Sequence, residues 1–299
     1  MRIGTSYKQH PGLDESWDAI VIGSGIGGLS VAATLSKLEG KRVLVLERHY
    51  TAGGFTHTFR RPGYEWDVGI HYIGGVNHPK ALGRRLFDFI TDGELHWADM
   101  GEVYDRIILG DNAYDYVKGL EGFRAKMHEY FPSDKDAIDA YLEKVLSTAK
   151  KTSMFFAEKA VPPFVSTLFG GAMRRPVLKD ATRTTREVLE EITQNQELIG
   201  VLTGQFGDYG LVPAKGSFFI HAMVVAHYFR GASYPIGGAS RIAASIIPTI
   251  EAAGGEVVTN ADVQEILVHD GRAVGVKLAD GHELRAPLVI SNAGVINTF

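Results

Sequence analysis

The apolar positions of this chain change their period three times. Trp17 to Ile22 is a short continuous apolar run ending in glycines, residues 26–38 carry small and apolar side chains at helical spacing, and "KRVLVLE" at 41–47 is a second continuous run. The pattern predicts a buried strand, a tight turn, a helix and a second buried strand. Together they have the size of a βαβ unit, whose parallel strands need a right-handed crossover.

After Glu47 the next helix of a simple alternating fold is missing. "RHYTAGGFTHTFRRPGYEWDVGIHYIGG" (48–75) is rich in glycine and aromatic residues and reads as loop and short strands. Residues 105–119 predict a hairpin turning at Gly110, Asp111 and Asn112, and 120–157 predict helix. Thr184 with Glu187 three residues on forms a capping box that starts another helix. Helices dominate from about residue 134 to 229. From Gly254 short strands return, with turns at Asp270-Gly271 and Asp280-Gly281. No internal repeat interrupts this order. The two ends of the chain predict one sheet-rich domain, with a helical insert between them.

Composition narrows the chemistry. The 299 residues are 45% hydrophobic and 22% charged, enough for one large domain or two modest ones. A formal charge of −4, without long like-charge runs, gives no long-range attraction for nucleic acid or for an anionic membrane. The absence of cysteine removes disulfides, thiolate nucleophiles and zinc thiolate sites. No His/Asp/Glu cluster has metal-ligand spacing, so no metal site is expected. The polar N-terminus with Pro11 lacks a signal-peptide core, so a cytoplasmic protein is the default reading. The longest apolar stretch, residues 218–229, is too short for a membrane span and holds His221 and His227. Six residues apart, these two do not share a helix face; they read as packing residues, with His221 also a candidate for lining a pocket.

Gly23, Gly25 and Gly28 stand in the G-x-G-x-x-G spacing, after a strand and at the start of a helix. The first glycine suits a tight turn, the second a close approach of backbone to a pyrophosphate, the third close helix-to-strand packing. Nineteen residues on, Glu47 ends the next strand, where a carboxylate can accept ribose hydroxyls and repels a 2′-phosphate. NADP is therefore disfavoured in this site. Arg48 is read as a solvent-exposed flank or a contact to the adenosine edge. The doublet Gly53-Gly54 follows the acidic strand end, where bare backbone can pass close to a longer cofactor's diphosphate and ribityl chain, which favours FAD over NAD.

"DAIVIGSGIGGLSVAATL", "VLVLERHYTAGGFTHTF" and "GYEWDVGIHYIGG" resemble the amino-terminal part of the FAD oxidoreductases that include retinol saturases, carotenoid cis-trans isomerases and phytoene desaturases. "SYPIGGASRIAASIIPTIEAAGGEV" and "GVKLADGHELRAPLVISNAG" resemble later segments of the same family. The resemblance implies an α/β, glutathione-reductase-type FAD domain built from residues 1–75 and 231–299, with 76–230 as an inserted, mainly helical substrate domain. It implies that Gly23, Ser24, Gly25, Gly27 and Gly28 line the diphosphate, Glu47 the ribose, and Gly53, Gly54, Phe55 and Thr56 the route toward the flavin. The backbone of Val263 would meet the adenine. Family members continue past "VISNAG" into a second flavin-contacting segment, so the chain is expected to be the N-terminal portion of a longer enzyme.

Saturating a conjugated C=C needs a hydride on one carbon and a proton on the other, and His71 and Tyr72 in "DVGIHYIGG" are the candidate proton donors. The expected reaction is saturation of a hydrophobic retinoid or carotenoid, with NAD(P)H a candidate electron donor. Redox-neutral cis-trans isomerisation and dehydrogenation are the nearest alternatives. A noncatalytic nucleotide-binding fragment and a flavin amine oxidase are the rivals from other classes. The stretch 154–175, aromatic, broken at Pro162-Pro163 and closed by Arg174-Arg175, reads either as helical core with a surface loop or as a tunnel lip in peripheral membrane contact.

Overall fold

Continuous apolar runs form strands that are covered on both faces. The computed structural model describes residues 3–10, 12–13, 16–70 and 72–299. Its first elements are β1 (Thr5–Ser6), β2 (Ala19–Ile22), α1 (Ile26–Glu39), β3 (Val43–Glu47), β4 (Thr58–Arg61), β5 (Tyr64–Asp67), β6 (Ile73–Gly74), α2 (Leu82–Ile90) and β7 (Trp97–Asp99). There follow β8 (Val103–Leu109), β9 (Asn112–Val117), α3 (Leu120–Tyr130), α4 (Lys135–Ala160), α5 (Pro163–Ala181), α6 (Thr185–Ile192), α7 (Gln196–Leu202) and α8 (Phe218–Tyr228). The last are β10 (Ala232–Pro235), α9 (Arg241–Glu251), β11 (Glu256–Thr259), β12 (Val263–His269), β13 (Arg272–Leu278), β14 (Glu283–Arg285), β15 (Val289–Ser291) and α10 (Val295–Thr298).

The chain divides into two compact units, one up to Ala98 and again from Ser233, the other Asp99–Ala232. The sequence places the first break at 75/76, but α2 and β7 pack with the first unit. The reason is apolar: Ile90 and Leu95 belong to its core, and Phe87, Phe89 and Trp97 lie against it.

In the first unit, five parallel strands run in the order β1-β11-β3-β2-β15. Alternation at period two splits the side chains between the faces. Ala19, Val21, Val43 and Val45 pack with α1 and α9, through Leu29, Ala32, Ala33, Ile242 and Ile246. Ile20, Leu44 and Leu46 point the other way, onto the antiparallel sheet β12-β13-β14 through Val276, Leu278 and Leu284. Each such leucine or isoleucine contributes roughly 1.5–3 kcal/mol by burial. Asp270 and Gly271 close the β12–β13 hairpin with φ of 49° and 73°, as the sequence predicts.

In the second unit, β8 and β9 pair around the expected turn, with Leu109 opposite Asn112. The capping box is made: Glu187 N donates to Thr184 Oγ1 at 3.2 Å, and Thr184 N to Glu187 Oε2 at 2.8 Å. Helix α8 is apolar nearly all round and is correspondingly buried. His221 on it is fully buried, with Tyr141 Oη 2.9 Å from Nε2 and Tyr209 Oη 3.3 Å from Nδ1. It is a packed core histidine. Among the described residues no helix is long and apolar enough to cross a membrane, and no group of three or more His, Asp or Glu is placed to hold a metal ion.

Candidate functional site

Helix α1 begins with Gly25 as its N-cap, directly beyond the carboxyl end of β2. The amides of a first helical turn have no acceptor within the helix, and the helix dipole makes this end electropositive. That is an anion-binding arrangement. Gly28 is obligatory in it: a Cβ there would lie 2.0 Å from the carbonyl oxygen of Gly23. The helix can start this close to the strand only because that carbon is missing.

Glu47, 9% exposed, ends the neighbouring strand β3. Its Oε2 accepts from the amide of Ser24 at 2.9 Å and from the Ser24 hydroxyl at 2.6 Å; its Oε1 accepts from the amide of His49 at 2.8 Å. A carboxylate oxygen has two lone pairs. One on Oε1 therefore remains open, whereas Oε2 becomes available only when the Ser24 hydroxyl turns away. The sequence foresees a carboxylate free for two ribose hydroxyls; the structure uses it first to hold the glycine loop.

Ser24 also reaches the second glycine motif. Gly53 N lies 3.1 Å from the Ser24 carbonyl oxygen and 3.2 Å from its hydroxyl, so one serine ties β3 and the doublet together. Gly53 and Gly54 have φ of 120° and 55°, and a Cβ on Gly54 would come within 2.8 Å of the Cα of Gly25. Thr56 Oγ1 donates to Gly53 O at 2.8 Å, and His57 Nδ1 lies 2.6 Å from Gly54 O. Phe55 is exposed and packs against Gly69, where a Cβ would sit 2.8 Å from its own.

Gly69 brings in the third motif. Two residues earlier, Asp67 accepts the hydroxyl of Tyr234 and the amide of Ala239 at 3.3 Å, both from "YPIGGAS" before α9. Burial and the adjoining carboxylate push the Tyr234 hydroxyl up to about 12, so it stays a donor across ordinary pH. On α9 itself, Ala243 lies 3.3 Å from the place a Gly53 Cβ would take. Segments 23–28, 53–56, 67–69 and 234–243 thus meet in one place.

The remaining candidates lie around this centre. Arg48 is exposed at the surface. Val263 opens β12, two residues beyond Ala261, whose amide donates to the Glu47 carbonyl at 2.9 Å. Tyr72 is half-buried just before β6, and His71 lies outside the described residues.

Sequence reading singled out neither Asp67 nor Tyr234, and it also missed Asn292. Asn292 follows β15, which lies beside β2, and its amide donates to Ile22 O at 2.8 Å. Its side-chain amide flanks the helix start: Nδ2 is 3.3 Å from where a Cβ on Gly25 or Gly28 would stand, and Oδ1 is 2.9 Å from that of Gly27. Ligands of open parallel sheets bind outside the carboxyl ends of the strands, so a polar residue directly after "LVIS" was the available signal.

This glycine-walled helix start is what a dinucleotide diphosphate requires, and the family described as an NAD(P)-binding Rossmann-like domain matches residues 21–89. All-trans-retinol 13,14-reductase of Danio rerio is 40% identical over 297 residues, which cover 95% of this chain and 49% of that protein. The chain is similar to the retinol 13,14-reductases. Chloroplastic prolycopene isomerase 1 of an Oncidium hybrid cultivar is 31% identical, again over 95% of the chain and 49% of the relative. The chain spans about half the length of these relatives. Putrescine oxidase with bound putrescine superposes with a TM-score of 0.66 over 95% of the chain and 60% of its own, at 17% identity, which is a likeness of fold.

Proposed function

We propose that this chain forms the FAD-binding part of an oxidoreductase acting on C=C bonds of a hydrophobic polyene, a retinoid or carotenoid, most simply by saturation. The carrying observation is Ser24. Its hydrogen bonds to Glu47 and Gly53 join the first glycine turn, the strand-end carboxylate and the glycine doublet at one place. An NAD site needs the first two; the doublet would carry the site on for a longer molecule.

In this reading, the first-turn amides of α1 hold the diphosphate and the open lone pair of Glu47 receives the ribose. Gly53 and Gly54 let the ribityl chain pass against backbone. Asp67 and Tyr234 fix the loop before α9 next to that passage. Bound FAD supplies hydride transfer. The proton that completes saturation would come from His71 or Tyr72, and the second unit would take the substrate. The likeness to a prolycopene isomerase supports redox-neutral isomerisation as the second reading.

Titration of FAD into the chain, followed by flavin fluorescence, tests the cofactor assignment. Saturable quenching, shifted to higher FAD concentration in Glu47→Ala, is expected; a folded chain that leaves flavin unquenched overturns it. Anaerobic incubation with reduced flavin and all-trans-retinol or prolycopene then separates the reactions. A large blue shift of the polyene band, from a shortened conjugated system, means saturation, and a small shift with the conjugation length kept means isomerisation.

A further inference from the structure

Helices α4 and α5 follow one another through Val161 and Pro162, and their turn carries an unusual surface. Phe156 on α4 and Phe164, Leu168 and Phe169 on α5 are 52%, 68%, 73% and 60% exposed. Farther along α5, Leu178 is 50% exposed, beside the exposed Arg175 and Lys179. Isolated apolar residues on a surface are ordinary, but four large ones on a single helical turn region are a patch.

Along this stretch of chain the exposed charged side chains are basic. Between residues 156 and 179 the only acid is Glu158. It is 2% exposed, and its carboxylate is met by Lys159 at 2.6 Å, by Arg174 at 3.1 Å and by the Ser166 hydroxyl. The next acid, Asp180, is 1% exposed between Lys144 at 2.7 Å and Lys151 at 2.8 Å. Burial pushes its carboxyl up, but the hydrogen bonds and charges of the two lysines outweigh that and hold it below the usual carboxylate range. Glu158 is thus balanced by Lys159 and Arg174 and Asp180 by Lys144 and Lys151, while Arg175 and Lys179 stand exposed.

We infer that the α4–α5 turn is a membrane-docking surface that enters the interface of a bilayer bearing anionic headgroups. Phe164, Leu168 and Phe169 would sit at the acyl boundary and Arg175 and Lys179 at headgroup level, the division of labour of interfacial helices. Pro162 and Pro163 end one helix and begin the next without a long loop, so the aromatic side chains are presented on a stiff turn. This inference stands on surface chemistry alone, so it can fail while flavin binding holds, and the reverse.

Vesicle co-sedimentation tests it, with phosphatidylcholine alone and with equal parts phosphatidylcholine and phosphatidylserine. The chain is expected to pellet with the anionic vesicles, less with the neutral ones, and to be released by high salt, a result that needs no variant. The triple variant Phe164→Ser, Leu168→Ser, Phe169→Ser should lose pelleting on both. Arg175→Glu with Lys179→Glu should weaken binding to anionic vesicles by at least about tenfold, since one basic residue near such a surface contributes ~1 kcal/mol. Failure of the unaltered chain to pellet, or pelleting untouched by either variant, overturns the inference. So does a dimer in sedimentation equilibrium that the triple serine variant dissolves without any vesicle binding, because the face is then covered by a second copy.

Discussion

Ser24 donates its amide, at 2.9 Å, and its hydroxyl, at 2.6 Å, to the same oxygen of Glu47. The carboxylate holds the glycine loop and, in the function proposed above, would also receive a ribose; two substitutions separate these tasks. Glu47→Ala removes both functions and leaves buried donors unpaired; hydrogen bonds to a charged group contribute roughly 1.5–3 kcal/mol, so FAD affinity should fall about tenfold to a hundredfold. Ser24→Ala keeps the charge and should cost less than about fivefold. Fluorescence titration of both variants checks this. Equal losses would mean that the carboxylate acts only through the loop.

Gly28→Ala should be the most damaging single change in the first unit. Its Cβ would overlap the Gly23 carbonyl at 2.0 Å, and backbone cannot swing aside as a flexible side chain does. Separating α1 from β2 opens the packing of Leu29, Ala32 and Ala33, so a loss of more than about 3 kcal/mol is expected, read as the urea midpoint. A variant as stable as the parent would show that the helix start is not held this tightly.

Asn292→Asp should move stability and cofactor affinity in opposite directions. A carboxylate beside the first turn of α1 meets the positive end of the helix dipole, which favours the folded chain by about 0.3–1 kcal/mol. The same charge repels a diphosphate. A higher melting temperature with weaker FAD binding is the expected pair of results; Asn292→Ala should show neither the gain nor the repulsion. Unchanged FAD affinity in Asn292→Asp would place the diphosphate elsewhere.

His221 makes the second unit sensitive to acid. Burial lowers its folded pKa to about 4, against roughly 6.5 in an unfolded chain. Between those values the unfolded chain binds a proton that the folded one does not, so stability rises with pH there. The contribution is complete above pH ~6.5 and is lost as pH falls toward about 4, at roughly 1.4 kcal/mol per pH unit. Urea unfolding at a series of pH values, compared with His221→Asn, isolates it from the carboxylates. The variant should show a flatter acid limb; parallel profiles would remove His221 as the cause.

Local pattern was enough for the elements that need only neighbours in sequence. The continuous runs of β2 and β3, the helical spacing of α1, the Asp-Gly turns and the Thr184–Glu187 cap could all be read directly, because period and turn chemistry act over a few residues. The fingerprint glycines and Glu47 were legible for the same reason: strand, turn, helix and strand follow one another without interruption.

What the amino-acid order alone determined, then, is a parallel βαβ start with a dinucleotide-type turn, an acid at the next strand end and a glycine doublet behind it. Tertiary structure decided what those groups touch: that Glu47 is occupied by Ser24 and His49, that Asp67 takes the hydroxyl of a tyrosine far along the chain, that Asn292 flanks the first helix, and that α2 joins the first unit. The reason is physical. A hydrophobic period reports which face of an element is buried, but the partner that buries it is selected by the sum of many long-range contacts, none of which leaves a mark at a fixed spacing.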